Sequence, residues 1–315
     1  MLLTGATGFV GSMLLPVLER EGHTVRTLSR RPQRLTAAGA PALRGDAVTG
    51  EGLEQALRGV EVAYYLIHSM ESSPSGVSFV ERERIAAANF AAAARDAGVR
   101  RIVYLGGLVP RWENAQQARP PRAARARQSR HLASREAVEQ ILLGAVPDSV
   151  ALRASIVIGA RSRSFRLLVR LVERLPVLAL PAWQRYRTQP IDARDVTAML
   201  AACASGDVGG EVLEVGGPDV LTYGEMLERI AEAMLVGRPT MRLRVNLTAI
   251  AGRVAAAIAA EDPELVVPLM EGLQGDLLAR EDHAAERLDV RLHSFDAAVG
   301  HALAEWEQAE PLAAR

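Results

Sequence analysis

Two rhythms of apolar and polar positions divide this chain. In the first half, short apolar runs recur: "MLLT", "HTVRTLS", "APALRGD", "EVAYYLIHS", "VRRIVYLGG" and "SVALRASIVIG". Between them stand stretches with apolar residues at helical spacing: "FVGSMLLPVLEREG", closed by Gly22, "FVERERIAAANFAAAARDAG", with Gly98 past its end, and a third over about 129–143. Runs of this length predict buried strands, and the longer spaced stretches predict helices with glycine at the C-terminal exit. Regular strand–helix alternation predicts an α/β class protein, a doubly wound parallel sheet whose crossovers are right-handed.

The rhythm breaks at 109–128, "VPRWENAQQARPPRAARARQ", where Pro, Arg and small residues predict a loop. Its arginines either face solvent or grip a phosphate. After about residue 160 the pattern turns helical. "SFRLLVRLVERLP" is an amphipathic helix, "RTQPIDARDVTAMLAACAS" a short strand entering a helix, "GEVLEVGGP" a strand and "TYGEMLERIAEAML" a helix. The expected division is a nucleotide-binding sheet domain over 1–217, with an insertion at about 161–187, and a smaller, mostly helical C-terminal lobe over 218–315. No internal repeat is visible.

Composition narrows the function classes. The chain of 315 residues is 49% hydrophobic and 23% charged, with a formal net charge of zero. A neutral chain carries no global pull toward nucleic acid or an anionic membrane, so neither is an expected partner. The single cysteine, Cys203, cannot form an internal disulfide and reads as a small buried hydrophobe in a reducing compartment. The start lacks a basic region ahead of an apolar one, and "LTAIAGRVAAAIAAED" is interrupted by Arg253, so a cytoplasmic protein without a membrane span is expected. The six histidines (His23, His68, His131, His283, His293, His301) are scattered, which leaves no metal-ligand cluster. Lysine is absent altogether, so no mechanism here can use one.

The chemistry-bearing motif is "TGATGFVG", with Gly5, Gly8 and Gly11 spaced by Thr7, Phe9 and Val10. It follows a strand and opens a helix, the context in which a Gly-rich turn holds a dinucleotide pyrophosphate. This makes the sheet Rossmann-type. The end of the second strand then separates the cofactors. An NAD site places a carboxylate there for the ribose 2′-hydroxyl, whereas this chain reads Ser29, Arg30, Arg31. Two guanidiniums can hold a 2′-phosphate, so the expected cofactor is NADP(H). Asp46, after the third strand, is either a neighbour of the adenine or a turn aspartate. Leu66, His68, Ser69 and Met70 follow the fourth strand at the sheet edge where ligands collect. His68 reads as a cofactor contact and Ser69 and Met70 as substrate contacts, or the turn merely caps the strand. Asn89 is expected to bond a strand carbonyl behind the site.

Taken in order, "TGATGFVG", "SRRP", "RGD", "YYLIHSM", "RIVYLGGL", "HLASREAVE" and "PIDARDV" resemble the short-chain dehydrogenase/reductase superfamily in its atypical branch, nearest the NmrA-like NAD(P)H-binding proteins. The resemblance covers about residues 1–235. It implies a catalytic serine after the fifth strand and a Tyr-x-x-x-Lys helix. Those positions hold Gly106 or Gly107, His131 and Arg135 here, so the usual pair is missing. The resemblance also implies that Gly106, Ala154, Ser155 and Ile156 run past the nicotinamide. His131 is then either a general acid or base or a helix-start histidine, and Arg135 either a ribose or substrate contact or a solvated charge. Trp183 and Tyr186 either wall a substrate pocket or pack in the core. The expectation is an NADP(H)-dependent oxidoreductase for a small organic substrate, monomeric or homodimeric. Two alternatives share the fold: a non-catalytic NADP(H)-binding redox sensor, and a non-redox isomerase or cyclase.

Overall fold

The computed structural model describes residues 1–35, 41–68, 78–109, 130–243, 275–280, 283–310 and 312, with backbone alone for 34 and 130–132. Its order begins β1 (Leu2–Thr4), α1 (Phe9–Arg20), β2 (Arg26–Ser29), β3 (Ala42–Arg44), α2 (Leu53–Leu57), β4 (Val62–Tyr65), α3 (Phe79–Asp96), β5 (Arg101–Gly107), α4 (Arg130–Ala145) and β6 (Val150–Ala154). It continues with β7 (Val157–Ile158), α5 (Arg163–Arg174), β8 (Leu178–Leu180), β9 (Arg187–Thr188), β10 (Ile191–Asp192), α6 (Ala193–Ala202) and β11 (Glu211–Val215). β12 (Leu221–Thr222), α7 (Tyr223–Ala233), β13 (Thr240–Arg242), α8 (His283–Arg287) and α9 (Phe295–Ala309) complete the described elements.

Seven strands form one parallel sheet in the order β11-β6-β5-β4-β1-β2-β3. This is a Rossmann-type α/β fold. The two central strands carry apolar residues on both faces. Leu2 and Leu3 of β1, and Val62, Ala63, Tyr64 and Tyr65 of β4, are all buried, as strands covered by helices on both sides require. Period-two alternation sends Leu3, Tyr64, Val103 and Leu152 to one face, against α1 and α6. Leu2, Ala63, Tyr65, Ile102 and Ala151 go to the other, against α3 and α4. The order reverses between β1 and β4, the point beyond whose carboxyl ends open α/β sheets bind their ligands.

A third core lies in the second lobe. Phe165, Val169 and Val172 of α5 meet Leu227 and Ile230 of α7 and Phe295, Val299 and Trp306 of α9. Residues expected as an insertion and residues expected as a separate lobe therefore share one apolar interior. The run "SVALRASIVIG" is not one strand. β6 ends at Ala154, the Ser155 amide donates to Val215 O at 3.1 Å, and β7 pairs with β10 outside the main sheet. The Ser155 hydroxyl lies 3.0 Å from that of Thr188, which satisfies both buried groups at the break. Cys203 is fully buried, and burial pushes its thiol up to about 12, so it is an inert core residue. Among the described residues no helix is long and apolar enough to cross a membrane.

Candidate functional site

The glycine loop sits where the sheet order reverses. Gly5 has φ +72°, and a Cβ there would lie 2.4 Å from the Leu66 carbonyl oxygen, so the turn out of β1 admits only glycine. Gly11, in the first turn of α1, faces the same limit: its Cβ would lie 2.3 Å from Gly5 O. Thr4 ties the two central strands at this edge, donating its hydroxyl to Tyr64 O at 2.9 Å and accepting from Leu66 N at 3.3 Å. Gly8 is the N-cap of α1. It has no side chain to occupy the free amides, and no acidic residue stands in the first turn. Those amides, aligned with the helix dipole, are open to a pyrophosphate. Thr7 is exposed, Val10 packs toward the core, and the Phe9 ring lies on Gly159, whose Cβ would come 2.5 Å from Phe9 Cζ. Arg161, which follows β7, donates to the Ser12 hydroxyl at 2.9 Å and brings a guanidinium to this helix.

At the far end of the crevice, Ser29 closes β2 and its hydroxyl accepts from Arg31 N at 3.1 Å. Arg30 and Arg31 are exposed, and no described residue pairs with either guanidinium. Asp46 turns back on its own loop: Oδ1 accepts from Val48 N at 2.8 Å. Its carboxyl is thus a turn-former. Asn89 donates to Ala47 O at 3.0 Å and Val48 O at 2.8 Å, so it clamps this loop from α3 rather than bonding a strand.

Between these ends, four side chains converge at the ends of β4 and β5. Glu83 of α3 is 4% exposed, with Oε1 2.8 Å from His68 Nδ1 and Oε2 accepting from Ser134 Oγ at 2.6 Å. Burial pushes this carboxyl up, but the His68 hydrogen bond, the charges of His68 and Arg135 and the Ser134 hydroxyl outweigh it and hold it down to about 2. Arg135 of α4 places Nη1 3.4 Å from His68 Nδ1, donates Nη2 to Leu105 O, and lies 4.8 Å from the centre of the Tyr104 ring. Tyr104 in turn donates its hydroxyl to Arg135 O at 3.2 Å, and burial raises its own pKa to about 12. Beside this cluster Gly106, Gly107, Arg135, Glu139 and Arg153 line a shallow surface depression. Arg153 and Glu139 form a two-pronged ion pair at 2.7 and 2.9 Å along its floor.

The structure thus brings Gly5, Gly8, Gly11, Leu66, His68, Gly106 and Arg135 to one sheet edge. His131 begins α4, but its side chain lies outside the described residues, as do Ser69, Met70 and the 110–129 stretch. Ala154 O accepts from Leu108 N, and Ile156 O from Ile191 N, so both carbonyls are spent on the scaffold. Trp183 is 4% exposed in the core of the second lobe, edge-on to Tyr223 at 6.1 Å, while Tyr186 is partly open beneath Arg185. Glu83, Ser134 and Arg161 were not singled out by sequence reasoning. The signal for Glu83 was present: it shares a helical stripe with Ala87, Phe90 and Ala94, all buried.

Residues 5–143 match the family described as NAD(P)H-binding. The mitochondrial NADH dehydrogenase [ubiquinone] 1 alpha subcomplex subunit 9 of Arabidopsis thaliana is 26% identical over 235 residues, covering 71% of this chain and 55% of that protein. The match therefore spans about half of the plant protein. Ceramide reductase of Caulobacter vibrioides is 28% identical over 237 residues, covering 74% of this chain and 69% of its own length. Among solved structures, that of gox2253 superposes with a TM-score of 0.75 at 21% identity, covering 99% of this chain and 98% of the other. That likeness extends the shared fold through the second lobe.

Proposed function

We propose, from the premise that this chain belongs with the atypical short-chain dehydrogenase/reductases through its NAD(P)H-binding domain, that it is an NADP(H)-dependent oxidoreductase for a small organic molecule. The carrying observation is the end of β2. An uncapped, acid-free helix N-terminus accepts a pyrophosphate, and at the ribose end Arg30 and Arg31 stand exposed where an NAD site has a carboxylate. When bound, the nicotinamide gives or takes a hydride. The rest belongs to the chain. Gly5, Gly8 and Gly11 let backbone amides reach the pyrophosphate. Arg135, fixed by Leu105 O and the Tyr104 ring, occupies the motif position of the family's lysine and would hold the nicotinamide ribose. Gly106 and Gly107 leave the depression without the family's serine hydroxyl.

Calorimetry tests the cofactor. NADPH is expected to bind at least tenfold more tightly than NADH, and Arg30→Ala with Arg31→Ala to remove that preference while NADH affinity stays put. Equal or reversed affinities in the unsubstituted chain would end the NADP(H) assignment. The replaced Ser, Tyr and Lys positions favour a second reading, a redox sensor that binds the cofactor without turning it over. Bound NADPH that no carbonyl or alcohol partner ever oxidises or regenerates would select it.

A further inference from the structure

Many of the arginines in this chain are neutralised by carboxylates, among them Arg100, Arg101, Arg153, Arg170, Arg187 and Arg194. Arg161 is not. It is exposed, and no described carboxylate lies within ion-pair reach of it. Its one hydrogen bond among the described residues runs from Nη1 to Ser12 Oγ at 2.9 Å. A guanidinium has five N–H groups, so the others are left for a further acceptor. Ser12 itself is committed to α1: its hydroxyl donates to Phe9 O at 2.9 Å and its amide to Gly8 O at 3.0 Å. Phe9 is the first residue of that helix, and its ring lies on Gly159, two residues before Arg161. Arg161 Nη1 is therefore two hydrogen-bond lengths from the opening turn of α1.

That is an unfavourable place for an uncompensated cation. The N-terminal end of a helix is its positive end, where anions are stabilised and cations are not. The first turn of α1 holds no acidic residue to offset the charge, and Gly8 offers no capping side chain. An anion between the helix end and the guanidinium reverses the sign of both interactions. We propose that Arg161 is a pyrophosphate ligand of the cofactor, reaching the glycine loop from the second lobe and adding charge-assisted hydrogen bonds to those of the loop amides. The side chain is anchored on the lobe side. Ser162, the next residue, is the N-cap of α5, and Phe165 of that helix is buried in the lobe core. The bound dinucleotide thereby joins the two parts of the molecule. NADPH and NADH share the pyrophosphate, so Arg161 contributes affinity for both, while the preference between them belongs to Arg30 and Arg31. This inference rests on the nicotinamide-dinucleotide reading above but not on the 2′-phosphate.

The test is calorimetry on the full chain with four probes: NADPH, NADH and ADP-ribose, which carry the pyrophosphate, and adenosine 2′-monophosphate, which lacks it. Arg161→Gln is expected to weaken the first three by about tenfold or more, the loss of a hydrogen bond to a charged group. It is expected to leave adenosine 2′-monophosphate within twofold. Arg161→Lys keeps the charge and loses the planar fork, so its affinities for the first three are expected to fall between those of the unsubstituted chain and Arg161→Gln. Arg161 is exposed and bonds only a hydroxyl among the described residues, so both variants are expected to fold. Dinucleotide affinities that Arg161→Gln leaves unchanged would overturn the proposal. An equal loss for all four probes would overturn it too, by showing a general disturbance of the site, as would a lysine variant no better than the glutamine one. Equal affinities for NADPH and NADH, both weakened by Arg161→Gln, would strike instead at the NADP(H) assignment and leave Arg161 on the pyrophosphate. An unsubstituted chain that binds none of the three pyrophosphate probes would end both readings.

Discussion

Glu83 ties the acid stability of this protein to one side chain. Its folded pKa of about 2 lies below the ordinary value of 4.5. Between those values the unfolded chain holds the proton and the folded one does not, so stability rises with pH there and is complete above about 4.5. A shift of this size in a buried group corresponds to roughly 3 kcal/mol, lost as pH falls through the folded value. His68 acts in the same direction at higher pH. Its depressed pKa gives stability that is present above its unfolded value and lost as the medium becomes acid enough to charge it. In urea unfolding, Glu83→Gln is expected to be less stable than the unsubstituted chain at pH 7, and the gap is expected to shrink steadily between pH 5 and 3. A gap constant across that range would show that the carboxylate charge carries none of the effect. Gly5 and Gly11 were legible because their roles are local, set by a φ angle and a close backbone approach. Glu83 was legible only as a charge in "ERER". Its burial depends on α4 closing over α3, and short-range spacing shows that only as a carboxylate on an apolar stripe.

At the scale of elements, α3 is the brace of the crevice. Near its start it presents Glu83 to His68; farther along, on a different face, Asn89 holds the Ala47 and Val48 carbonyls. The loop after β3 and the turn after β4 are thereby fixed to one rigid rod. Asn89→Ala leaves two partly buried carbonyls short of a donor, which costs about 1–3 kcal/mol. The expected outcome is a lower thermal midpoint together with a several-fold weaker NADPH affinity, although Asn89 itself bonds only backbone carbonyls of that loop. A variant that melts earlier but binds NADPH unchanged would separate the loop from the cofactor. The strands and helices of the first half followed from apolar rhythm because both sheet faces are covered and each run is continuous. The break at Ser155 did not show in that rhythm. "VALRA" and "VIG" are equally apolar, and the chain divides them where the Ser155 amide bonds Val215 O and its hydroxyl pairs with that of Thr188, from different parts of the fold.

Over the whole molecule, the chain passes repeatedly between the sheet domain and the second lobe. It leaves the main sheet after Ala154, enters the lobe core at Ile158, returns through β10 and α6 to β11, and leaves again at Leu221. Cross-contacts join the parts: Phe9 on Gly159, Arg161 on Ser12, and His293 Nδ1 2.5 Å from Asp195 Oδ1. A protein of 315 residues is long enough to melt in two steps if its parts fold alone. Here neither core closes without segments that belong to the other, so cleavage of the sequence near 217 would leave Phe165, Leu168 and Val172 without α7 and α9. Calorimetric scanning is therefore expected to give one transition, with calorimetric and van't Hoff enthalpies that agree. NADPH at about 100 times its dissociation constant should stabilise that single transition by about 2.7 kcal/mol, moving the lobe and the sheet together although the proposed cofactor site lies at the sheet edge. A second peak that stays fixed as NADPH is added would show the lobe unfolding on its own. The second lobe would then be a detachable cover over the crevice rather than part of the structure that shapes it.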